Sequence, residues 1–481
     1  MHLALDEIVQ ATGGRVLGPA PPGGVVITGV STDTRTLRPG DLFIPLRGPR
    51  RDGHDFIAQA FAAGAAASLT QHPPSRRGGG VLAPAPRHGA GGAEARPLVH
   101  VADTLRALSD LAAFYRRRVA LTVVGITGSV GKTTTAALCA AALGARYRTV
   151  RTRDDWNAEI GVPLTVLGLR PGDDVAVIEM AMRGLGQIAD LVRVAAPQIG
   201  VVTNIGETHL ELLGSLDNIT RAKGELVAGL PPGGTAVLNA DDERALGLRR
   251  LARGAVVTYG AAPHATVRAE DAVFADGGMR FRVIRPDGEI TVALPAWGTH
   301  LVSNALAAAA VAHTLGVGLD EVRRGLERWA PAKMRLQPLR VGDVLIINDA
   351  YNASPASLAA AFEVLAHLGR GRRRVVVLGE MRELGPQSPS WHREAGARAA
   401  AVAAVLVVSG GSDAAAVAAG ARGAGAVDVH LVPDASAAAA SLLSLMRPGD
   451  VVLIKGARAM GMERVVDAVL ASTASPGSTR R

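Results

Sequence analysis

The amino-acid sequence predicts an α/β protein of three domains, and three observations carry that expectation. The chain has 481 residues, more than one hydrophobic core usually organises. Short apolar runs that suit buried strands alternate with alanine-rich helical stretches, the pattern of mostly parallel sheets covered by helices. One of these runs, LTVVGITG, passes through a glycine-rich turn directly into a helix start.

Residues 1–101 contain the strand-like runs VVITGVSTDT and DLFIPL, separated by Pro-Gly turns, and predict a small α/β domain. Residues 71–97 are rich in Pro, Gly and Arg, cannot bury enough apolar surface to order themselves, and predict a mobile surface loop. TLRALSDLAAFYRRR has helical spacing and opens a second domain, 102–331, which continues through the strands VAVIEM, QIGVVTNIG and TAVLNADD. A third α/β domain, 332–481, follows WAPAKMRLQP and carries the strands VLIINDA, RRVVVLGEM, AVLVVSG and DVVLIKGA. No period of about 20–50 residues points to a repeat architecture.

Composition narrows the function classes. No apolar run of about 18 residues is free of charges, glycines or prolines, so no membrane span is expected. The start, MHLALDEIVQATGGRV, carries acids where an export signal would be basic. Cys139 is the single cysteine, which excludes an intrachain disulfide and a thiolate metal cluster and fits a reducing cytoplasm. The formal charge is +9, yet aromatics are 3% and the arginines are spread along the chain, so a polyanionic small substrate is favoured over nucleic acid. No seam for a second copy stands out, and a monomer is the expectation. Only Lys132, Lys223, Lys333 and Lys455 stand among 52 basic residues, which makes each a candidate site for a compact ammonium or for an amine that can lose its proton.

The strongest local signal is Thr127-Gly128-Ser129-Val130-Gly131-Lys132-Thr133-Thr134 between an apolar strand and an alanine-rich helix. Glycines let backbone N–H groups curl around phosphate oxygens, and the helix N-terminus adds partial positive charge. Gly128, Ser129, Gly131, Lys132, Thr133 and Thr134 are therefore the expected cradle for ATP, with Lys132 at the β and γ phosphates and Thr133 on magnesium. The strict phosphate-loop pattern asks for glycine five residues before Gly131, where Ile126 stands; Gly125 lies one residue too early.

TGSVGKTT resembles the phosphate loop of the Mur ligases and the related folylpolyglutamate synthases. The resemblance extends through VAVIEMAMRGLGQI, IGVVTNIGETHLELLGSLDNITRAKGEL, GTHLVSNALAAAAVA, NDAYNASPASL, VLGEMRELG and IKGARAMGME, in that family's order. It implies a UDP-binding first domain, a P-loop ATPase-type parallel-sheet second domain and a Rossmann-like third. It also implies two magnesium ions held by Thr133, Glu179, His209 and Lys223, the last after carbamylation by carbon dioxide. The residues alone leave His209 open to a buried structural role and Lys223 to a solvated helix face. By resemblance, Asn304 meets adenine, while Arg335 and Asp349 reach phosphates and ribose, flanked by Tyr351 and Asn352. Helix capping or packing at Asn304 and a plain turn at DAYNASP are the alternatives. Met334-Arg335 stands where the family has Gly-Arg.

About 125 residues precede the phosphate loop, and STDTRTLRPGDLFIPLRG and RDGHDFI resemble the UDP-binding segments of the muramoyl-peptide ligases. Ser31, Thr32, Arg35 and His54 are the candidates there, against turn capping and surface charge. TRDDWNAEIGVPLTVL resembles the muramoyl-peptide contact segment and keeps Asn157, with Ala158 in place of a second asparagine; Arg183 is a further candidate for a substrate anion. VLGEMRELGPQS followed by WHREAG resembles the members that add D-alanyl-D-alanine. Lys455 and Arg458 serve either carboxylate recognition or anchoring of their turn. The resemblance thus implies ATP-dependent joining of D-alanyl-D-alanine to a UDP-linked muramoyl tripeptide through an acyl phosphate.

Overall fold

The computed structural model describes residues 1–17, 24–72, 96–153, 155–208, 210–425 and 427–474. Most of the loop expected at 71–97 lies outside the described residues. Three sheets organise the chain, each of them mostly parallel. The first runs Arg15–Leu17, Leu98–His100, Ala67–Thr70, Asp41–Phe43, Gly29–Ser31 in spatial order, antiparallel only at its Arg15–Leu17 edge. A two-stranded pair, Leu3–Ala4 with Val26–Ile27, sits beside it.

The central sheet has nine strands, ordered Thr149–Arg151, Val175–Glu179, Thr122–Thr127, Ile199–Val202, Thr235–Asn239, Ala255–Gly260, Val267–Ala275, Gly278–Arg285, Gly288–Leu294. Seven are parallel; the last two add an antiparallel edge that the sequence reading did not anticipate. Along the parallel strands the side chains alternate between two cores, as a period of two requires. Val123, Ala176 and Ile178 face the helices Thr104–Arg116, Gly161–Leu167, Gln187–Ala195 and Leu216–Ala228. Val124, Ile126 and Val177 face the helices Lys132–Leu143, Thr299–Thr314 and Leu319–Arg328. Burial on both faces is why these strands read as continuous apolar runs.

The C-terminal sheet has six strands, ordered Gln337–Val341, Val344–Asp349, Val451–Lys455, Arg374–Gly379, Val405–Ser409, Asp428–Val432, all parallel but the first. It has its own cores on its two faces. The first domain does not: Leu3, Ile27, Leu42, Leu69 and Val99 belong to the same apolar cluster as Ile178 and Leu226 of the central domain. The joint between the central and C-terminal domains is a seam, where Phe274 stacks on His367 at 4.0 Å and Thr299 donates to Glu363 at 2.8 Å. No helix among the described residues is long and apolar enough to cross a membrane.

Candidate active site

The strand Thr122–Thr127 ends where the sheet's connections diverge to both sides, with Val175–Glu179 on one flank and Ile199–Val202 on the other. Parallel sheets open a ligand crevice at that place. Gly128 has φ +152 and Gly131 φ +88; a Cβ would lie 1.8 Å from the Thr203 hydroxyl at the first and 2.7 Å from Asn304 at the second. Gly125, the glycine one position too early, sits within the strand under Leu226, where a Cβ would come within 3.0 Å. It serves helix packing, and Ile126 is core, so the strict pattern fails for a reason of packing.

The loop after Ile199–Val202 braces the turn. Val130 N–H donates to Asn204 at 2.9 Å, and its carbonyl accepts from Asn204 and Thr203 at 2.9 and 2.7 Å. Ser129 Oγ exchanges 2.8 Å bonds with both backbone groups of Gly206, which leaves only its backbone for a phosphate. Lys132 Nζ donates to Gly128 O at 2.8 Å. Burial lowers its pKa, the Glu179 carboxylate opposes that shift and Arg335 adds to it. Thr134 follows at the helix start.

Glu179 is 2% exposed and accepts from Asn157 Nδ2 at 2.9 Å, while its N–H donates to Thr152 at 2.7 Å. Lys223 is also 2% exposed, and its amine makes no hydrogen bond among the described residues. Burial, then the neighbouring Lys132 charge, pushes its pKa well below the usual lysine range. Such an amine is neutral and nucleophilic at neutral pH. The donor set at hand, the Glu179 carboxylate and the Thr133 hydroxyl, consists of hard oxygens that suit magnesium. His209 lies outside the described residues.

From the C-terminal domain, Arg335 donates to Thr133 Oγ1 at 3.2 Å and stacks 4.1 Å over the Tyr351 ring. Tyr351 O–H donates to Asp155 of the central domain; that bond and the burial of the phenol raise its pKa to about 12. Arg335 is flanked by Met334 at φ +59 and Leu336 at φ +49, so this hinge is wound left-handed without the glycine. Asn304, 7% exposed, lies inside the helix Thr299–Thr314 and accepts from Thr135 at 3.3 Å, so it is not a cap.

Several expected contacts need correction. Asp349 spends its oxygens on Leu336 N–H and Lys455 Nζ, and Lys455 also donates to Asn352 O at 2.9 Å. This buried pair anchors the hinge, so of the two roles open to Lys455 the structure favours anchoring, and Asp349 is turned away from ribose. Asn352 itself is exposed. His54 is 1% exposed; Nδ1 pairs with Asp52 and Nε2 accepts from Gln71 N–H at 3.0 Å, leaving no ring atom for UDP. The same bonds occupy the Asp52, His54 and His72 group as a metal site. Ser31 Oγ donates to Asp33 O at 2.9 Å and Arg35 is tied to the Asp33 carboxylate, a self-contained turn beside Thr32. Arg183 is exposed on the turn after Glu179, and Arg458 pairs with Glu463 at 3.4 Å; neither joins the central cluster. Thr203, Asn204 and Asp155 do join it, although their sequence segments were read without assigning them a role.

Comparison with known proteins decides the family. Three sequence families match in chain order: "Mur ligase family, catalytic domain" at residues 26–116, "Mur ligase middle domain" at 126–312 and "Mur ligase, glutamate ligase domain" at 334–458. The UDP-N-acetylmuramoyl-tripeptide–D-alanyl-D-alanine ligase of Synechocystis is 39% identical over 452 residues, 92% of each chain. The chain belongs to the Mur ligase family. Among solved structures, MurF from Acinetobacter baumannii superposes with a TM-score of 0.87 at 30% identity, over 98% of this chain and 99% of that one. MurF from Thermotoga maritima, solved with ADP, gives 0.80 at 28% identity over 93% and 98%. For a Mur ligase, the cluster of Lys132, Thr133, Glu179, Lys223 and Arg335 has the composition of a phosphoryl-transfer centre: cations around an anion-binding loop, with a buried carboxylate beside it.

Proposed function

We propose that this chain is an ATP-dependent ligase that joins D-alanyl-D-alanine to UDP-N-acetylmuramoyl-tripeptide in the cytoplasmic synthesis of peptidoglycan precursor, acting as a monomer. Residues 1–101 hold the UDP end, 102–331 hold ATP, and 332–481 close over both. The observation that carries the reading is the reach of Arg335 across the domain seam to Thr133 of the phosphate loop; the names of the relatives supply the substrates.

The γ-phosphoryl group of ATP passes to the terminal carboxylate of the tripeptide, giving an acyl phosphate and ADP. The free amine of the dipeptide then attacks the activated carbonyl; the C–N bond forms, the bond to phosphate breaks, and the amine proton leaves. Both partners of the first step are anions, so the protein's task is to hold them together against repulsion. Lys132 and Arg335 neutralise charge on the transferred group, and the braced turn at Gly128–Gly131 presents backbone N–H groups that need no reorganisation. Magnesium, held by Thr133 and Glu179, would screen the phosphate charge further. Lys223 is suited to capture carbon dioxide as a neutral amine, which would convert it to an anionic ligand next to Lys132. Asn157 fixes the Glu179 carboxylate.

The direct experiment is phosphate release with ATP, magnesium and UDP-muramoyl tripeptide, comparing D-alanyl-D-alanine, single amino acids and no amine. Release that requires the dipeptide is expected. Release that proceeds without an amine, or that prefers a single amino acid, would overturn the assignment.

A further inference from the structure

A cavity of about 560 Å³ lies between the central and C-terminal domains, a size that suits a small ligand. It meets the phosphate loop at Ser129 and Val130, and its far wall is formed by the helices Pro355–Leu368 and Ser388–Val402. Thr133, Asn304, Arg335 and Asp349 do not line it, so it is distinct from the space around the nucleotide candidates.

The walls are unusual in what they leave unmet. The Thr208 hydroxyl and the Trp391 indole N–H are buried with no hydrogen-bond partner among the described residues. The Glu207 carboxylate likewise makes no hydrogen bond or ion pair there, and it faces the like charge of Glu394. Polar groups left this way cost free energy unless a ligand completes them. Arg398, held to Glu394 at 2.6 Å, supplies the one kind of charge the carboxylates lack. Phe362 gives the same wall an apolar surface. A carboxylate for a cation, an arginine for an anion, an N–H and a hydroxyl for a peptide group, and an apolar face together describe the receptor of a small zwitterionic dipeptide.

We propose that this cavity seats the acceptor, D-alanyl-D-alanine, and so sets the amine specificity. Its ammonium lies against Glu207, its peptide group meets Thr208 and Trp391, its carboxylate meets Arg398, and its methyl groups pack on Phe362. Polarity follows from the backbone: Glu207 succeeds Gly206, which is bonded to Ser129 of the phosphate loop, so the amine end is the one beside the group being transferred. The assignment rests on the ligase reading above.

Trp391→Phe keeps the ring and removes the N–H. Steady-state kinetics should show KM for D-alanyl-D-alanine raised roughly five- to tenfold, with KM for ATP and for the UDP-tripeptide unmoved. Arg398→Gln should raise the dipeptide KM further and should erase the enzyme's preference for the free dipeptide over its C-terminal amide. A dipeptide KM unchanged in both variants, or a rise in KM for ATP instead, would overturn the proposal. Dependence of wild-type phosphate release on the dipeptide is measured separately, so a failed cavity is distinguishable from a failed ligase assignment.

Discussion

At the scale of single residues, the lysines separate by environment. Lys132 and Lys223 are neighbouring cations within one buried cluster, where each lowers the stability of the other's charged form. Placing both there is costly, and a carbamate on Lys223 would turn the repulsion into attraction. Lys223→Ala should therefore lose activity by roughly 10²-fold or more, with partial recovery on adding a short-chain carboxylate that can occupy the vacated space. Unimpaired turnover in the variant would rule out a role as a ligand. Scarcity in an arginine-rich chain drew attention to these two lysines, and the same scarcity pointed to Lys455, which is buried against Asp349 as a hinge anchor. Residue type told where a lysine mattered; only packing told why. His54 is the converse case, a polar residue in a family-like segment whose ring is consumed by Asp52 and Gln71.

At the scale of elements, the phosphate loop was legible because its requirements are local: a strand, glycines able to take positive φ, and a helix start. Its support was not. Thr203 and Asn204 reach Val130 across more than 70 residues of sequence, and Asp155 meets Tyr351 across 196. No spacing rule reveals such pairs before the sheet order is known. The parallel strands were readable for the opposite reason, since burial on both faces makes each an apolar run. The edge hairpins from Val267 to Leu294 are half exposed and alternate in polarity, and their Asp-Gly turns at 276–277 and 287–288 were the signal available. Gly128→Ala tests the loop as an element. The left-handed backbone alone costs about 1–3 kcal/mol, and the added methyl would press on Thr203. A lowered melting temperature together with loss of ATP binding is expected; unaltered melting would mean the loop tolerates a side chain there.

At the scale of the whole molecule, closure of the C-terminal domain is held by few bonds, and they converge on the nucleotide site. Tyr351 carries Arg335 on its face and grips Asp155 with its hydroxyl, so one side chain couples the seam to Thr133. Tyr351→Phe keeps the stacking surface and removes the grip. A rise of about tenfold in KM for ATP is expected, the worth of one hydrogen bond to a charged group, without loss of thermal stability. Unchanged ATP kinetics would show that closure does not depend on this bond.

The first two domains share one apolar interior, from Leu3 through Leu248, whereas the third has its own. Three units of sequence thus make only two mechanical bodies. The end of the molecule that would grasp a uridine and the end that would phosphorylate a carboxylate cannot drift apart, and their separation acts as a ruler laid along the peptide. A stem one amino acid too short would leave its carboxylate short of the phosphoryl group, however tightly its nucleotide was held. Length discrimination then needs no dedicated side chain, because it is built into the shared interior.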